Sequence, residues 1–150
     1  MRLNRAWIEA RIPHQGRMCL LDEVIDWNAQ HIRCATATHR EPDNPLRSHG
    51  RLGAAVGIEY AAQAMALHGA LAGGAATGSA PKVGLLAGLR EVRLFVARLD
   101  DIDADLICEV THLAGDGLTA LYEFALRDRD RILVSGRASV VLDAGKRLRL

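Results

Sequence analysis

One Ala- and Gly-rich apolar run, Leu52-Gly-Ala-Ala-Val-Gly-Ile-Glu-Tyr-Ala-Ala-Gln-Ala-Met-Ala-Leu67, stands alone among segments patterned as strands. It predicts a helix over 52–71, stopped by the Gly73-Gly74 pair. A helix with small side chains and few charges all round is suited to full burial, because neighbouring backbones can approach it from every side. With no second long helix to pack on, the cover must come from a sheet.

The flanking segments supply that sheet. Residues 18–27 and 31–38 flank the turn-forming Asn28-Ala-Gln30 and read as a hairpin, in which Ile32, Cys34 and the small residues after them alternate with polar neighbours. After a Gly/Ala/Ser stretch, strands are expected over 83–96, 105–112, 119–127 and 132–142. Leu106, Cys108 and Val110 share one face of the second of these. Ala120, Tyr122, Phe124 and Leu126 share a face of the third, which follows the turn Ala114-Gly-Asp-Gly117. Consecutive strands joined by short turns give an antiparallel sheet, so the expected class is α+β, a sheet curled around one central helix: the hotdog architecture. At 150 residues the chain, 1–150, reads as one domain.

Composition narrows the function. Nineteen Lys and Arg against eighteen Asp and Glu, with 4% aromatic residues, give neither the basic footprint nor the stacking platforms expected of a nucleic-acid binder. The basic tail Lys146-Arg147-Leu148-Arg149 reads as a solvated terminus. Cys19, Cys34 and Cys108 have no Cys-x-x-Cys spacing and read as buried thiols of a reducing compartment. The first residues have no apolar signal core, and Glu59, Gln63 and His68 interrupt the only long apolar run, so a cytoplasmic protein without membrane spans is expected. Neither a metal-ligand pattern nor a P-loop ending accompanies the glycines of the helix start, and no cofactor is expected.

Glu59 is the residue that points to chemistry. Burying an unpaired carboxylate disfavours its charged form and raises its pKa, which makes a Glu a general acid near neutral pH. Val56, Glu59, Gln63, Ala66 and Ala70 share a helix face. The loop 40–50, with two prolines, runs directly into the helix and carries His49.

Two stretches carry a resemblance. Ile12-Pro-His14-Gln-Gly-Arg-Met-Cys-Leu-Leu-Asp22-Glu-Val and Gly57-Ile-Glu59-Tyr-Ala-Ala-Gln63-Ala resemble motifs of the beta-hydroxyacyl-acyl-carrier-protein dehydratases of the hotdog superfamily. The Gly-Ile-Glu-Tyr-x-Ala-Gln form, with Asn44-Pro45 ahead of it, is most similar to the divergent dehydratase-like proteins associated with aryl polyene biosynthesis. The resemblance implies a dimer, homomeric or with a second hotdog subunit, acting on beta-hydroxyacyl thioesters of acyl carrier protein or CoA. It also implies a general acid at Glu59 and a His base from the preceding loop. The family's Gly-His-Phe-Pro-Gly loop is missing here, and Ser48-His49-Gly50 is the stand-in, with His49 as candidate base. His14, Gly53, Gly57 and Gln63 are candidate substrate-binding residues. His14 reads foremost as structural or as pocket wall, and Gln63 as a partner of the carboxylate or of a neighbouring strand. A catalytically weak partner subunit and an acyl thioesterase are the rival readings.

Overall fold

The computed structural model describes residues 2–72, 84–116 and 118–142. The Gly73-Gly74 stop, the small-residue stretch after it, Val83, Gly117 and the basic tail lie outside them.

The elements follow in the order β1 (Leu3–Asn4), α1 (Arg5–Glu9), β2 (Glu23–Trp27), β3 (His31–Thr36), α2 (Gly57–Ala72), β4 (Gly84–Leu94), β5 (Leu106–Gly115), β6 (Thr119–Asp128) and β7 (Arg131–Leu142). The strands form one antiparallel sheet in the order β1-β2-β3-β5-β6-β7-β4. Short turns join the paired strands β2–β3, β5–β6 and β6–β7, whereas α1 and the residues after it separate β1 from its partner β2, and α2 and β4 intervene between β3 and β5. The chain then returns so that β3 pairs with β5 and β4 with β7 at the far edge.

The expected alternation places the core. Leu106, Cys108 and Val110 of β5 and Tyr122, Phe124 and Leu126 of β6 are buried against α2 together with Ile32 and Cys34 of β3. Each fully buried Leu, Ile or Phe side chain contributes about 1.5–3 kcal/mol relative to exposure. The outer face of the sheet is polar: Arg137 stands between Glu91 and Glu123, and Arg127 pairs with Glu109. All three cysteines are free and buried. Burial pushes the Cys34 thiol up to about 12, so it is an inert packing group.

Smaller shifts aside, such as β5 running on to Gly115 rather than ending at 112, two boundaries differ by five residues from the sequence reading. The helix begins at Gly57, after a 3-10 turn over Ala54–Val56, rather than at Leu52. Leu52 is already committed: its N–H donates to the Asp100 carboxylate at 2.9 Å and its carbonyl accepts from Leu99 N at 2.8 Å. Ala54 N likewise donates to Ala97 O at 3.1 Å. A residue whose backbone groups pair with another segment cannot enter the helical ladder.

The first hairpin strand is also shorter than expected, starting at Glu23 rather than Met18. Residues 10–22 form a strap that crosses the helix. Ahead of the strap lie the short β1 and α1, which periodicity over longer windows misses. Asn4 caps α1 by accepting from Trp7 N at 2.9 Å, and Arg5 and Glu9 pair one turn apart.

Gly57 is explained by packing. A Cβ there would stand 3.0 Å from Leu126 Cδ2 and 3.1 Å from Val134 Cγ2, so a larger residue would have to push these side chains aside where the helix starts against β6 and β7.

Candidate active site

The strap brings His14 to Glu59. His14 Nε2 lies 3.5 Å from Glu59 Oε1, with side-chain exposures of 27% and 42%. The Nδ1 atom of His14 is enclosed and has no partner, which leaves Nε2 as the nitrogen available for proton transfer.

The expectation of a raised Glu59 pKa is reversed, because Glu59 is neither unpaired nor deeply buried. The side-chain contact with His14 holds its carboxyl below the ordinary value, burial opposes this, and the charge of the His14 ring adds to the lowering. In the free chain the carboxylate is therefore ionised at neutral pH.

The strap is built by side chains. Arg5 donates to the carbonyls of Gly16 at 2.8 Å and Cys19 at 2.6 Å, and Gln15 Nε2 to those of Glu9 at 2.5 Å and Ile12 at 3.3 Å. Leu20 O accepts from Thr36 Oγ1 at 2.5 Å and from Thr38 Oγ1 at 2.7 Å. Thr38 Oγ1 in turn lies 2.8 Å from the Tyr60 hydroxyl, which also accepts from Asn44 Nδ2 at 3.1 Å. Asn44 thus ties the loop before the helix to the residue beside Glu59. Gln63 is fully buried, with both ends of its carboxamide on strap backbone. Oε1 accepts from Leu20 N at 2.8 Å, and Nε2 donates to Met18 O at 2.7 Å. Of the two roles read for Gln63, the bond to a neighbouring segment is the one made, and its amide is not bonded to Glu59.

His49 stands elsewhere. It is exposed at a tight turn, with φ 54, inside the Ser48–Arg51 bridge. Among the described residues it makes no hydrogen bond and no ion pair, and it is not on the wall of the cavity that holds His14 and Glu59. Gly53 is exposed, with open space where a Cβ would go, and pairs with Arg98 just before the 3-10 turn.

That cavity, about 550 Å³, runs from His14 and Glu59 along Ala62, Ala66 and Gly69 of α2. Its wall further along carries a cluster that sequence reasoning did not assemble: His68, His112 and Tyr122. The His68 ring lies 5.8 Å edge-on from Tyr122 and 6.3 Å from His112, in a stacked arrangement. Its nitrogens meet Tyr122 Oη at 3.3 Å and Asn28 O at 3.0 Å. Burial lowers the His68 pKa and pushes Tyr122 up to about 12, so both are neutral at physiological pH. No sequence spacing links positions 68, 112 and 122; they meet because β5 and β6 lie under the second half of α2.

Among the described residues no group of three or more His, Cys, Asp or Glu side chains is placed to hold a metal ion. None of the described helices is long and apolar enough to cross a membrane.

Residues 6–146 match the family described as ApeP-like, ApeP dehydratase. The chain belongs to this family of dehydratases. A direct comparison with curated protein sequences gave no match. Among solved structures, the dehydratase heterocomplex ApeI:P from Xenorhabdus doucetiae superposes with a TM-score of 0.82 at 23% identity, covering 95% of this chain and 97% of that one. A hypothetical thioesterase with coenzyme A from Streptococcus pneumoniae superposes with a TM-score of 0.57 at 12% identity, covering 79% and 83%. A thioesterase mutant from Staphylococcus aureus gives 0.54 at 11% identity, covering 79% and 90%. At these identities the likeness is one of fold, and the fold is the hotdog, as the sequence pattern predicts. The family match gives the chain a dehydratase-type role.

Proposed function

We propose that the chain dehydrates beta-hydroxyacyl thioesters presented on acyl carrier protein or CoA, with His14 as base and Glu59 as acid. The observation that carries this reading is the His14–Glu59 pair at the head of a long cavity lined by small side chains. Elimination of water needs two groups within reach of one Cα–Cβ unit, one to remove a proton and one to supply it.

With Nδ1 carrying the ring hydrogen, the pair shares one further proton between Nε2 and Oε1. In the free chain the Glu59 carboxyl, held below its ordinary value, does not keep it. A thioester that fills the cavity displaces water from Glu59 and raises its pKa, so the proton passes to the carboxyl and Nε2 is left free. Nε2 then takes the proton from the carbon next to the thioester carbonyl. The carbon–hydroxyl bond breaks as Glu59 protonates the departing oxygen. Water and an enoyl thioester leave, and the pair again holds one proton. His49, exposed and off the cavity wall, is not given the base role in this scheme.

The cavity suits an extended acyl chain of the fatty-acid or polyene type. Flat conjugated segments can lie against the small residues of α2 and reach the aromatic edges of His68, His112 and Tyr122. The partner we propose is a second hotdog subunit, in line with the heterocomplex relative. The free edge of the sheet, β4 and the residue after it, exposes Leu85, Leu89, Leu94 and Phe95, and covering an apolar edge with another subunit removes that hazard.

The test is turnover of a beta-hydroxyacyl thioester by wild type, Glu59→Gln, His14→Ala and His49→Ala, with and without a co-expressed hotdog partner. Enoyl thioester formation lost in the first two variants and kept in the third is expected. Equal rates for wild type and Glu59→Gln would sink the assignment, and release of free thiol would identify a thioesterase instead.

A further inference from the structure

The strap and α2 meet at two places one helical turn apart, His14 at Glu59 and the Met18–Leu20 backbone at Gln63. We infer that Gln63 is a positioning residue, whose buried carboxamide fixes where the His14 strap stands against Glu59. This deepens the dehydratase reading and rests on it.

Among the described residues, the hydrogen bonds between the strap and α2 are those of Gln63. The other ties run to different elements: Arg5 of α1 holds Gly16 O and Cys19 O, while Thr36 and Thr38 hold Leu20 O. These fix the strap to the sheet and to α1, and Thr38 carries the tie on to α2 indirectly, through the Tyr60 hydroxyl. Gln63 bonds the strap directly and sets its height along the helix, because a carboxamide presents one acceptor and one donor, matched here to the N–H of Leu20 and the carbonyl of Met18. Four residues along a helix is about 6 Å, so the clamp and the His14–Glu59 contact are neighbours.

The link between them is stiff. Gly16, at φ 59, turns the strap where an L side chain would be strained, and the 3-10 turn Gly16–Met18 closes with Cys19 N on Gly16 O at 3.1 Å. Met18 N bonds Gln15 O at 3.1 Å, so the clamped segment and the residue after His14 share one turn. Moving the clamp therefore moves His14. A misplacement of about 1 Å at reacting groups costs about 100-fold in rate.

A plain filler of two orphaned backbone groups would affect stability alone. The distinguishing measurement is the titration of the Glu59 carboxyl followed by NMR in wild type, His14→Ala, Gln63→Leu and the double variant, alongside kcat and KM. Expected for Gln63→Leu is an upward shift of the Glu59 pKa in the direction seen for His14→Ala, with no further shift in the double variant. A fall in kcat of at least about tenfold should accompany it, with KM within about twofold. Asp128→Ala, at the end of β6, should leave both readings at the wild-type values.

A folded Gln63→Leu chain with unchanged Glu59 titration overturns the inference. Should that variant not fold, Gln63→Met, unbranched and of similar length, takes its place. Hydrogen exchange of the Leu20 amide in the wild type is a further check, since rapid exchange would mean that the clamp is not held. The titration does not depend on turnover, so a chain with coupled titration and no dehydration would fail the dehydratase reading while keeping the clamp.

Discussion

The strap over residues 10–22 and the sheet from β5 to β7 pack against the same helix and are held in different ways. The sheet is a backbone ladder, shifted in register at His112/Ala114 and Leu126/Arg127, with partners running from Leu106↔Asp128 on β5–β6 to Thr119↔Val141 on β6–β7. Any side chain of suitable face and size preserves that ladder. The strap has no ladder over Met18–Leu20, and its carbonyls and amides are met by Arg5, Gln15, Thr36, Thr38 and Gln63. A ladder tolerates substitution and gives stability. A side-chain harness depends on the identity of each member, and it can place one ring against one carboxylate.

The largest expected effect breaks the strap's function without breaking the sheet. His14→Ala should lower kcat/KM for a beta-hydroxyacyl thioester by about 10²–10⁴-fold, the range for losing a general base, with a melting curve near that of the wild type. The converse is Leu126→Ala on β6, which empties a fully buried site beside Gly57. Denaturant titration should show a loss of about 2–5 kcal/mol, while the fraction still folded turns over as before.

Thr38→Val sharpens the comparison from within the harness. It keeps the shape but removes the hydroxyl shared by Leu20 O and the Tyr60 hydroxyl. A stability loss of about 1–3 kcal/mol is expected by calorimetry, because buried groups lose a partner.

The pH dependence is smaller and has a definite sign. Glu59 is held below its ordinary pKa by His14, so the pair's contribution is fully present above the ordinary carboxylate range and disappears as pH falls through the lowered value. Stability of wild type minus Glu59→Gln, followed by denaturant midpoints, should therefore decline on acidification; a difference that grows instead would contradict the lowered pKa. Least affected is the outer face of the sheet. Arg137→Ala removes an exposed contact with Glu91 and Glu123 and should change stability by no more than about 0.5 kcal/mol.

The same contrast explains what could be read in advance. The faces of β5 and β6 were legible because alternation reports burial directly: Cys108, Val110, Tyr122 and Phe124 are inward as the pattern requires. Glu59 was legible as an acid in an apolar helix. Its partner was not, since His14 and Glu59 are far apart in sequence and nothing periodic links a strap to a helix. Proximity in the chain favoured His49, yet the Leu52 backbone pairs with the Leu99–Asp100 segment, and the turn carrying His49 stays on the surface. The His68–His112–Tyr122 wall was hidden for the same reason.

By itself, the sequence determined the single small-residue helix, the run of antiparallel strands, the buried faces and the hotdog class, because each follows from local periodicity and turn chemistry. Tertiary structure alone decided which histidine meets Glu59, that this contact lowers rather than raises the carboxyl's pKa, and that Gln63 binds backbone. Those outcomes depend on distances between groups brought together by a fold, and an ionisable side chain responds to what stands beside it in space rather than in sequence.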